Sequence, residues 1–444
     1  MTPLEHSRPS RSPSATTTAD PSATRRDFLK SGTAATVAGA LLGTSAISPR
    51  AYAAGDDIIR VGLVGCGDRG TGAANQALMA DESVHLVAMG DAFSEQINRK
   101  LRSLKAQKRV ADRVQVDEDH RFVGLDAYKH VTDACDVVLL AAPPGFRPEH
   151  LAYAVEKNKH VFCEKPMATD PVGARWVVET VKKSKENGKS LVSGFCWRYH
   201  LPHRAFFEKV LNGDIGELPC VYGTYMATRI KEMPPASQRP DGMTDLEWMV
   251  HNWYNFTWLS GDLLVEQACH AVDWLMWAKG DVPPVRCTAL GGRQIPQEGG
   301  NIFDHIEVNY EWEDGSRGFL AQRQMANCYN DNSCYLLGSK GQGRIRFADN
   351  WFPGTDWKYD GPAPNMYQVE HNELFESIRK GEPINDGDRM INSTMAAIMG
   401  RTAGYTGKEL SWEEIWKSDE KLVFDTPDWN APVTFRPVPM PGLM

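Results

Sequence analysis

Three ionisable side chains have the types and spacing needed to move a proton on and off an alcohol oxygen. Glu266 and His270 are four residues apart, which would place both on one face of a helix. His270 would be the general acid or base, since an unperturbed imidazole titrates near pH ~6.5. Lys165, between Glu164 and Pro166, would hold or polarise the substrate oxygen through its charge. Glu266 would orient His270 or bind a hydroxyl.

Simpler interpretations of the same residues stay open. His270 taken alone is better explained as a core histidine, and Lys165 could be a surface lysine. Glu266 and His270 could also be two metal ligands, but no third ligand lies at a suitable spacing. The nine cysteines include no Cys-x-x-Cys pair and no zinc-like spacing, so the sequence predicts no metal site and mostly free, buried thiols.

A glycine motif predicts a dinucleotide site. Gly65, Gly67 and Gly70 form a G-x-G-x-x-G pattern that follows a β-branched run and opens a helix-like segment. Asp91 lies about 20 residues beyond it, the spacing of a carboxylate that binds the ribose hydroxyls. Such a carboxylate repels a 2′-phosphate and favours NAD over NADP, although Arg99 and Lys100 could serve a phosphate.

The elements around these residues alternate between strands and helices. Apolar runs at 58–64, 84–89, 136–142, 160–163 and 191–195 predict strands, and helix-like segments include 151–157 and 171–187. This alternation predicts a doubly wound parallel sheet, an N-terminal Rossmann domain, with right-handed crossovers. Ligands bind beyond the carboxyl ends of such strands, where Gly65, Pro143 and Lys165 stand.

The sequence changes character after Gly194. Short strand-like runs predict an α+β domain with a large open, mainly antiparallel sheet, followed by helices at 369–379 and 390–405; the runs are 221–229, 285–291, 305–312, 317–325, 333–337 and 343–347. All but one of the 13 tryptophans lie from Trp197 onward. Most of them would be core residues, but flat apolar faces also suit carbohydrate rings.

The first 53 residues differ from the rest. Residues 1–23 are rich in Ser, Thr and Pro, and predict disorder. Arg25-Arg26, an apolar run and Ala51-Tyr52-Ala53 then have the order of a twin-arginine signal with a cleavage site, which predicts export in the folded state to the periplasm. The predicted domains are therefore 1–53, 54–193, 194–410 and a C-terminal extension, 411–444.

Charge and hydropathy exclude other classes. The formal net charge of −8 argues against a nucleic-acid partner. Charged residues interrupt every apolar stretch after Ala54, so no stable membrane span is predicted.

Three features together resemble the glucose-fructose oxidoreductase/inositol dehydrogenase/rhizopine catabolism (Gfo/Idh/MocA) family. They are the glycine motif, the Ala141-Ala142-Pro143 turn followed by His150, and above all Glu164-Lys165-Pro166. The resemblance extends from about residue 58 to about residue 410. It implies an NAD- or NADP-dependent enzyme acting on a hydroxyl carbon of a sugar, cyclitol or related compound, and an oligomer formed through the open sheet. The family usually has an aspartate where this sequence has Glu266.

The resemblance also implies a set of contact residues. For the cofactor these are Gly65, Gly67, Asp68, Arg69, Gly70, Asp91, Ala142, Pro143, His150, Glu164 and Lys165. For the substrate they are Arg198, Tyr199 and His200 after the sixth strand and Arg323 in a later strand. A loop rich in Trp and Asn before the histidine segment adds Trp253, Tyr254 and Asn255, and for each of these residues a structural role stays open beside a binding role.

Export limits the predicted function, because free nicotinamide cofactor is scarce outside the cytoplasm. The first hypothesis is an exported NAD(H)-dependent oxidoreductase with a tightly bound, recycled cofactor and a carbohydrate substrate. The second is a glycoside hydrolase or eliminase that uses NAD only for transient oxidation at C3. The third is a non-catalytic sugar-binding protein on the same fold.

Overall fold

The structure is a computed structural model that describes residues 57–443 except 297, 347–348, 353–356, 425–427, 431–432 and 434. The predicted twin-arginine segment and its cleavage site lie outside the described residues. Within the described part, no helix combines the length and the apolar character needed to cross a membrane.

The first part of the described chain builds a six-stranded parallel sheet. Its central strands are short β-branched and leucine-rich runs buried on both faces, as parallel sheets require. The elements are β1 (Ile59–Val64), α1 (Asp68–Ala80), β2 (Val84–Asp91), α2 (Ser94–Lys105), β3 (Arg121–Val123), α3 (Ala127–Ala134), β4 (Val137–Leu140), α4 (Arg147–Glu156), β5 (His160–Cys163), α5 (Pro171–Glu186) and β6 (Leu191–Ser193). The spatial order β3-β2-β1-β4-β5-β6 is that of a Rossmann sheet, which confirms the predicted fold class of this part.

The second part builds an eight-stranded sheet covered on one side by helices. Its elements are α6 (Leu201–Leu211), β7 (Cys220–Ala227), α7 (Asp245–His251), α8 (Thr257–Ser260), α9 (Cys269–Ala278), β8 (Arg286–Gly292), β9 (His305–Glu311), β10 (Arg317–Gln324), β11 (Asp331–Leu337), β12 (Gln342–Arg346), β13 (Asp349–Trp351), α10 (Met366–Lys380), α11 (Gly387–Thr406), β14 (Leu410–Ser411) and α12 (Trp412–Lys417). The strand order is β13-β12-β11-β7-β10-β9-β8-β14, and the sheet is mainly antiparallel, as predicted. β7 and β10 pair in parallel at its centre.

One helix from the second part of the sequence, α10, packs on the first sheet, although the predicted domain boundary lies at residue 193. The apolar face of α10 packs on the first sheet and on α1, so that Val369, Leu374 and Phe375 share a core with Ile59 and Val61. The dinucleotide-binding part is therefore discontinuous in sequence, and the linear division at 193 does not account for this helix. Local periodicity predicts the helix but carries no information on which sheet it covers.

The residues after α12 are tied back to the first part of the chain. Asp170 caps α5 through its Oδ1, which accepts from the Gly173 amide at 2.7 Å. Its second oxygen, Oδ2, accepts from the amide of Leu422 at 2.7 Å. The fully buried Arg401 forms an ion pair with Glu420 at 2.6 Å. The C-terminal extension thus completes a helix cap and a buried charge pair in elements formed far earlier in the chain.

Candidate active site

A cavity of about 610 Å³ lies beyond the carboxyl ends of the strands of the first sheet, between that sheet and the second part of the chain. All eleven residues assigned to the cofactor line it, from Gly65 to Lys165, as do the other two proposed catalytic residues, Glu266 and His270. Its volume is in the usual range for a small-molecule or cofactor site.

The three glycines of the motif meet different constraints. Gly65 has φ +89°, and a Cβ there would lie 2.5 Å from the Ala142 amide nitrogen. A Cβ on Gly70 would lie 2.0 Å from the carbonyl oxygen of Gly65. A Cβ on Gly67 would meet no atom within 4 Å, because this residue faces the open cavity. Gly65 and Gly70 shape the turn, whereas Gly67 leaves room for a ligand.

The start of α1 is available for an anion. No side chain caps this 13-residue helix, and Gly67 stands at its N-cap. The free amide groups of the first turn carry a partial positive charge and can bind the oxygens of a phosphate. Together with the space beside Gly67, this helix start fits the pyrophosphate of a dinucleotide.

Asp91 stands at the end of β2, where a ribose-binding carboxylate is expected. Its Oδ2 accepts from the Cys66 amide at 2.7 Å and its Oδ1 from the Phe93 amide at 3.0 Å. Burial raises the pKa of Asp91, and the two amide bonds act in the opposite direction. Phe93 stacks on the ring of His251 with centroids 3.8 Å apart, and both rings line the cavity next to Asp91.

Two predicted cofactor residues neutralise each other. The Nε of Arg69 lies 2.7 Å from Glu164 Oε1, and the guanidinium stands 4.8 Å from the ring centre of Tyr367. Glu164 is buried at the end of β5. This ion pair fixes the wall of the cavity between the glycine turn and Lys165.

Lys165 is held by Glu266. Its Nζ donates to the backbone carbonyl of Glu266 and lies 3.3 Å from Oε1 of the same residue. An ammonium group has three N–H donors, so one remains for a ligand in the cavity. Burial lowers the pKa of Lys165, but nearby acids, Glu266 foremost, outweigh it and the pKa is raised. Lys165 is therefore a cation at neutral pH.

The segment that carries Glu266 differs from the predicted α-helix. Leu264–Ala268 form a π-helical turn, and α9 begins only at Cys269. Asp262, at φ +95°, organises this turn because its Oδ1 accepts from the Leu264 amide and its carbonyl from the Glu266 amide. The expected single α-helical face is wrong, and the Glu266 carboxylate bonds to Lys165 and Gln267, with no hydrogen bond to His270 among the described residues. The alternative role, that Glu266 binds a substrate hydroxyl, stays a prediction.

Glu266 belongs to a chain of hydrogen bonds along the cavity wall. The carboxylate can only accept, so the Gln267 amide turns its Nε2 toward Glu266 Oε2, at 2.5 Å. The Oε1 of Gln267 then accepts from the Tyr225 hydroxyl at 2.7 Å. Tyr225 thereby fixes the orientation of the amide and, through it, of the carboxylate that holds Lys165.

His270 is neutral. Burial lowers its pKa well below the ordinary value, and the charge of Lys165 acts in the same direction. Its ring packs beside Trp197 at 4.8 Å, and its Nδ1 has no hydrogen-bond partner in the described residues. A buried neutral imidazole lining the same cavity as Lys165 can accept a proton from a hydroxyl group.

The predicted substrate residues divide into two groups. Trp253 and Tyr254 line the cavity. Arg198 and Tyr199 are buried away from it, where Arg198 pairs with Asp273 at 2.7 Å and Tyr199 donates to Asp386 at 2.7 Å. The remaining three predicted positions, His200, Asn255 and Arg323, are also absent from the cavity wall.

The prediction for Arg198, Tyr199 and Arg323 is corrected by their long-range partners. Asp273 lies on α9 and Asp386 precedes α11. Both are so far from Arg198 and Tyr199 in the sequence that the local sequence after β6 could not predict these pairs. Arg323 donates to the carbonyl of Tyr329 at the end of its own strand. These residues hold the second part together and do not face the cavity.

Several residues of the cavity wall escaped the sequence reasoning, among them Arg147, Trp197, Tyr225, Lys231 and Gln267. Strand alternation could have found Tyr225, since Val221 and Gly223 share its buried face. Arg147, which is buried and donates to the Pro166 carbonyl at 2.6 Å, carries no comparable local signal.

The cysteines and potential metal ligands add no second site. All nine cysteines are unpaired, and seven of them are buried. In the described part of the chain, no group of three or more His, Cys, Asp or Glu side chains is arranged to hold a metal ion.

Comparisons with known proteins agree with this geometry. Residues 59–190 match the model of the Gfo/Idh/MocA oxidoreductase family with its NAD-binding Rossmann fold, and residues 204–344 match a Gfo/Idh/MocA C-terminal domain. The myo-inositol 2-dehydrogenase of Thermotoga maritima is 26% identical over 294 residues, which are 66% of this chain and 75% of that protein. A glycosyl hydrolase family 109 protein of Shewanella baltica is 29% identical over 181 residues, 37% of this chain and 38% of that protein.

Solved structures share the fold. The aldose-aldose oxidoreductase of Caulobacter crescentus has a TM-score of 0.62 at 19% identity, with 80% of this chain and 99% of that chain covered. At this identity the similarity establishes the architecture of both parts and leaves the chemistry to the residues in the cavity.

Proposed function

Because this chain belongs to the Gfo/Idh/MocA family of oxidoreductases, we propose that it transfers a hydride between a nicotinamide cofactor and a hydroxyl or keto carbon of a sugar, cyclitol or glycoside. The observation that carries the proposal is one cavity lined by both the glycine turn and the group Lys165, Glu266 and His270. A bound nicotinamide ring supplies the hydride acceptor or donor.

The residues of the chain would manage the proton and the charge on oxygen. In the oxidation direction, His270 takes the proton of the substrate hydroxyl, since its imidazole is neutral. Lys165 keeps its proton and stabilises the negative charge that develops on the same oxygen. In the reverse direction His270 returns the proton. Glu266 holds the ammonium in place and balances its charge.

We infer a preference for NAD over NADP. Asp91 faces the cavity with both carboxylate oxygens fixed by backbone amides, and it would accept hydrogen bonds from the ribose hydroxyls. Lys100 is engaged by Asp68, which leaves Arg99 as the cation beside this end of the cavity. Equal affinity for both cofactors would contradict this preference.

A carbohydrate substrate is supported by the aromatic part of the wall. Trp197 and Trp253 line the cavity, Trp197 beside His270, and flat aromatic faces beside polar groups suit the C–H faces of sugar rings. The similarity to a myo-inositol 2-dehydrogenase favours the same substrate class.

A second candidate function is hydrolysis or elimination of a glycoside after transient oxidation at C3. Oxidation there acidifies the neighbouring C–H bond and so permits cleavage without net redox change. The similarity to a glycosyl hydrolase family 109 protein over 37% of the chain supports this candidate. The intact Lys165 and His270 argue against a third candidate, a non-catalytic sugar-binding protein.

We further propose export through the twin-arginine machinery to the periplasm, with the cofactor bound before export, and assembly into a homo-oligomer through the open face of the second sheet. The order of Arg25-Arg26, apolar run and Ala51-Tyr52-Ala53 supports export. Fractionation of cells that express the full chain tests whether the protein reaches the periplasm. A variant with both Arg25→Lys and Arg26→Lys is the control. Sedimentation of the purified protein tests the assembly.

One experiment separates the candidate functions. The protein is purified from the cytoplasm, its bound NAD(H) is measured spectroscopically, and sugars, inositols and glycosides are then added. A change in the reduced-nicotinamide band supports the oxidoreductase, whereas release of an aglycone without net redox change supports the hydrolase. Absence of both bound cofactor and any response would contradict both.

The catalytic assignment is tested by Lys165→Ala and His270→Ala. Each should lower kcat by about 10²–10⁴-fold, because each removes a group that acts on the reacting oxygen. Both variants should still bind NAD(H), since the glycine turn is untouched. A variant that kept the wild-type kcat would show that its assigned role is wrong.

A further inference from the structure

The charges around the glycine turn are already balanced. Asp68, the first residue of α1, is paired with Lys100, and Arg69 is paired with Glu164. A pyrophosphate brings two negative charges to this place. The helix start offers only about half a positive charge against them. A further cation near the phosphates would therefore add to the binding of a dinucleotide.

The cavity wall offers five lysine and arginine side chains, and four of them form an ion pair or donate a hydrogen bond within the protein. Arg69 is paired with Glu164, and Lys165 with Glu266. Arg147 is buried and bonded to the Pro166 carbonyl, beside Lys165. Arg99 lies on α2, beyond Asp91, and donates to Gln96 at 2.6 Å. The fifth is Lys231, which forms no ion pair with any described residue.

Lys231 reaches the cavity from the second part of the chain. It lies in the loop between β7 and α7, lines the same cavity as the glycine turn, and has its Nζ 5.9 Å from the ring centre of Trp253. Partial desolvation lowers the pKa of Lys231, and Asp68 at the start of α1 acts in the opposite direction, so this carboxylate is within electrostatic range of the ammonium. Its side chain is exposed at the mouth of the cavity.

The backbone of this loop is fixed although the lysine side chain is free. Arg229 is buried and donates from its Nε to the carbonyl of Lys231 at 3.2 Å. Its other two nitrogens donate to the Ile295 carbonyl at 2.8 Å and to Asn255 Oδ1 at 2.7 Å. A buried guanidinium with three fixed partners thus presents Lys231 to the cavity.

We propose that Lys231 binds the pyrophosphate of the dinucleotide from the side opposite the glycine turn, so that the cofactor joins the two parts of the chain. This inference rests on the proposed function, because it assumes that a nicotinamide dinucleotide occupies the cavity. It makes Lys231 a binding residue and gives it no part in proton transfer. The salt bridge to the phosphate forms only when the cofactor is present.

The test uses the full chain freed of cofactor and measures Kd for NAD⁺ and ADP-ribose by calorimetry at low and high salt, with NADP⁺ as a comparison ligand. Lys231→Gln should weaken both ligands about tenfold at low salt, since a charged hydrogen bond is lost. It should also reduce the salt dependence of Kd, because one screened charge pair is absent. Lys231→Arg should restore most of the affinity, and Lys340→Gln, an exposed lysine in a turn of the second sheet, should leave it unchanged.

The outcomes distinguish a failure of the role of Lys231 from a failure of the proposed function. Unchanged affinity of Lys231→Gln for both ligands, with wild-type binding intact, would overturn the role of Lys231 alone. Loss of affinity for NADP⁺ only would place the lysine at a 2′-phosphate and would also overturn it. A wild-type protein that binds neither NAD⁺ nor ADP-ribose would instead contradict the proposed function. Equal melting temperatures of the variants exclude misfolding as the cause of weaker binding.

Discussion

At the scale of single residues, the site depends on how one carboxylate divides its hydrogen bonds. Glu266 accepts from Lys165 on one oxygen and from Gln267 on the other. Its position keeps a buried ammonium charged, while the same ammonium keeps His270 neutral. The two groups that would act on the substrate oxygen therefore have opposite protonation states at neutral pH, as an alcohol oxidation requires.

Replacement of Glu266 by Gln should move the alkaline limb of the pH profile. In the wild type the acid raises the pKa of Lys165 against the effect of burial, so kcat/KM for oxidation should fall only at high pH. Without the carboxylate, burial dominates, the pKa of Lys165 drops, and the loss begins at a lower pH. Profiles of kcat/KM from pH 6 to 11 measure the difference. Glu186→Gln, on the exposed side of α5, is the control, and coincident profiles would contradict the role of Glu266.

Sequence reasoning worked for residues whose position follows from local signals. The glycine motif, Asp91 and Glu164-Lys165 stand at the ends of strands that their own composition predicts, and all of them line the cavity. It failed for Arg198, whose partners Asp273 and Asp281 lie on and after α9. An arginine after a strand looks the same whether it faces a ligand or a buried carboxylate, so only the tertiary structure separates the two cases.

At the scale of elements, the start of α1 and the π-helical turn before α9 bring chemistry to the cavity. The first was predictable, because glycines that permit a tight turn leave a pattern in the sequence. The second was not, because nothing in Leu264–Ala268 distinguishes a π turn from an α turn. The wider turn rests on Asp262, whose carboxylate also accepts from the Phe303 amide at 2.8 Å and the Tyr405 hydroxyl at 2.5 Å.

The two cavity-side glycines of α1 should respond differently to alanine. In Gly70→Ala the new methyl would collide with the Gly65 carbonyl, so the free energy of unfolding should fall by about 1–3 kcal/mol. In Gly67→Ala the methyl meets no protein atom, so stability should stay within about 0.5 kcal/mol of wild type. The same methyl occupies space needed by the pyrophosphate and should weaken NAD⁺ binding about tenfold or more.

Thermal denaturation and calorimetry of both alanine variants measure these effects. Each variant is the control for the other. Gly67→Ala should weaken NAD⁺ binding without a change in stability, whereas Gly70→Ala should lower the stability itself. A Gly67→Ala protein that bound NAD⁺ like the wild type would mean that no phosphate approaches this residue.

At the scale of the whole molecule, two late segments complete the early sheet. α10 supplies part of its core, and the residues after α12 supply the second bond of Asp170 and the partner of Arg401. The sequence predicts the sheet and the helix separately. It does not predict their contact, because burial of an apolar face specifies no particular neighbour.

Glu420→Gln should destabilise the whole described unit. It leaves the fully buried Arg401 without its carboxylate, and because Glu420 itself is part-exposed the loss should be about 1–3 kcal/mol. Denaturant unfolding measures the change. Asp419→Asn is the matched control, since this fully exposed neighbour lies 3.5 Å from Arg175 and its loss should cost less than about 1 kcal/mol. If both substitutions lowered the free energy of unfolding equally, the Arg401–Glu420 pair would contribute no more to stability than a surface ion pair.

The bond from Asp170 to the Leu422 amide also sets an order of events during protein synthesis. A ribosome releases the chain from its N-terminus, so the strands of the first sheet emerge long before α10 and the final residues that complete them. A nascent chain that has just emerged as far as β6 has the glycine turn but an uncovered apolar face on α1 and β5. The dinucleotide-binding part can therefore make its full set of contacts only after the chain has been synthesised past Leu422.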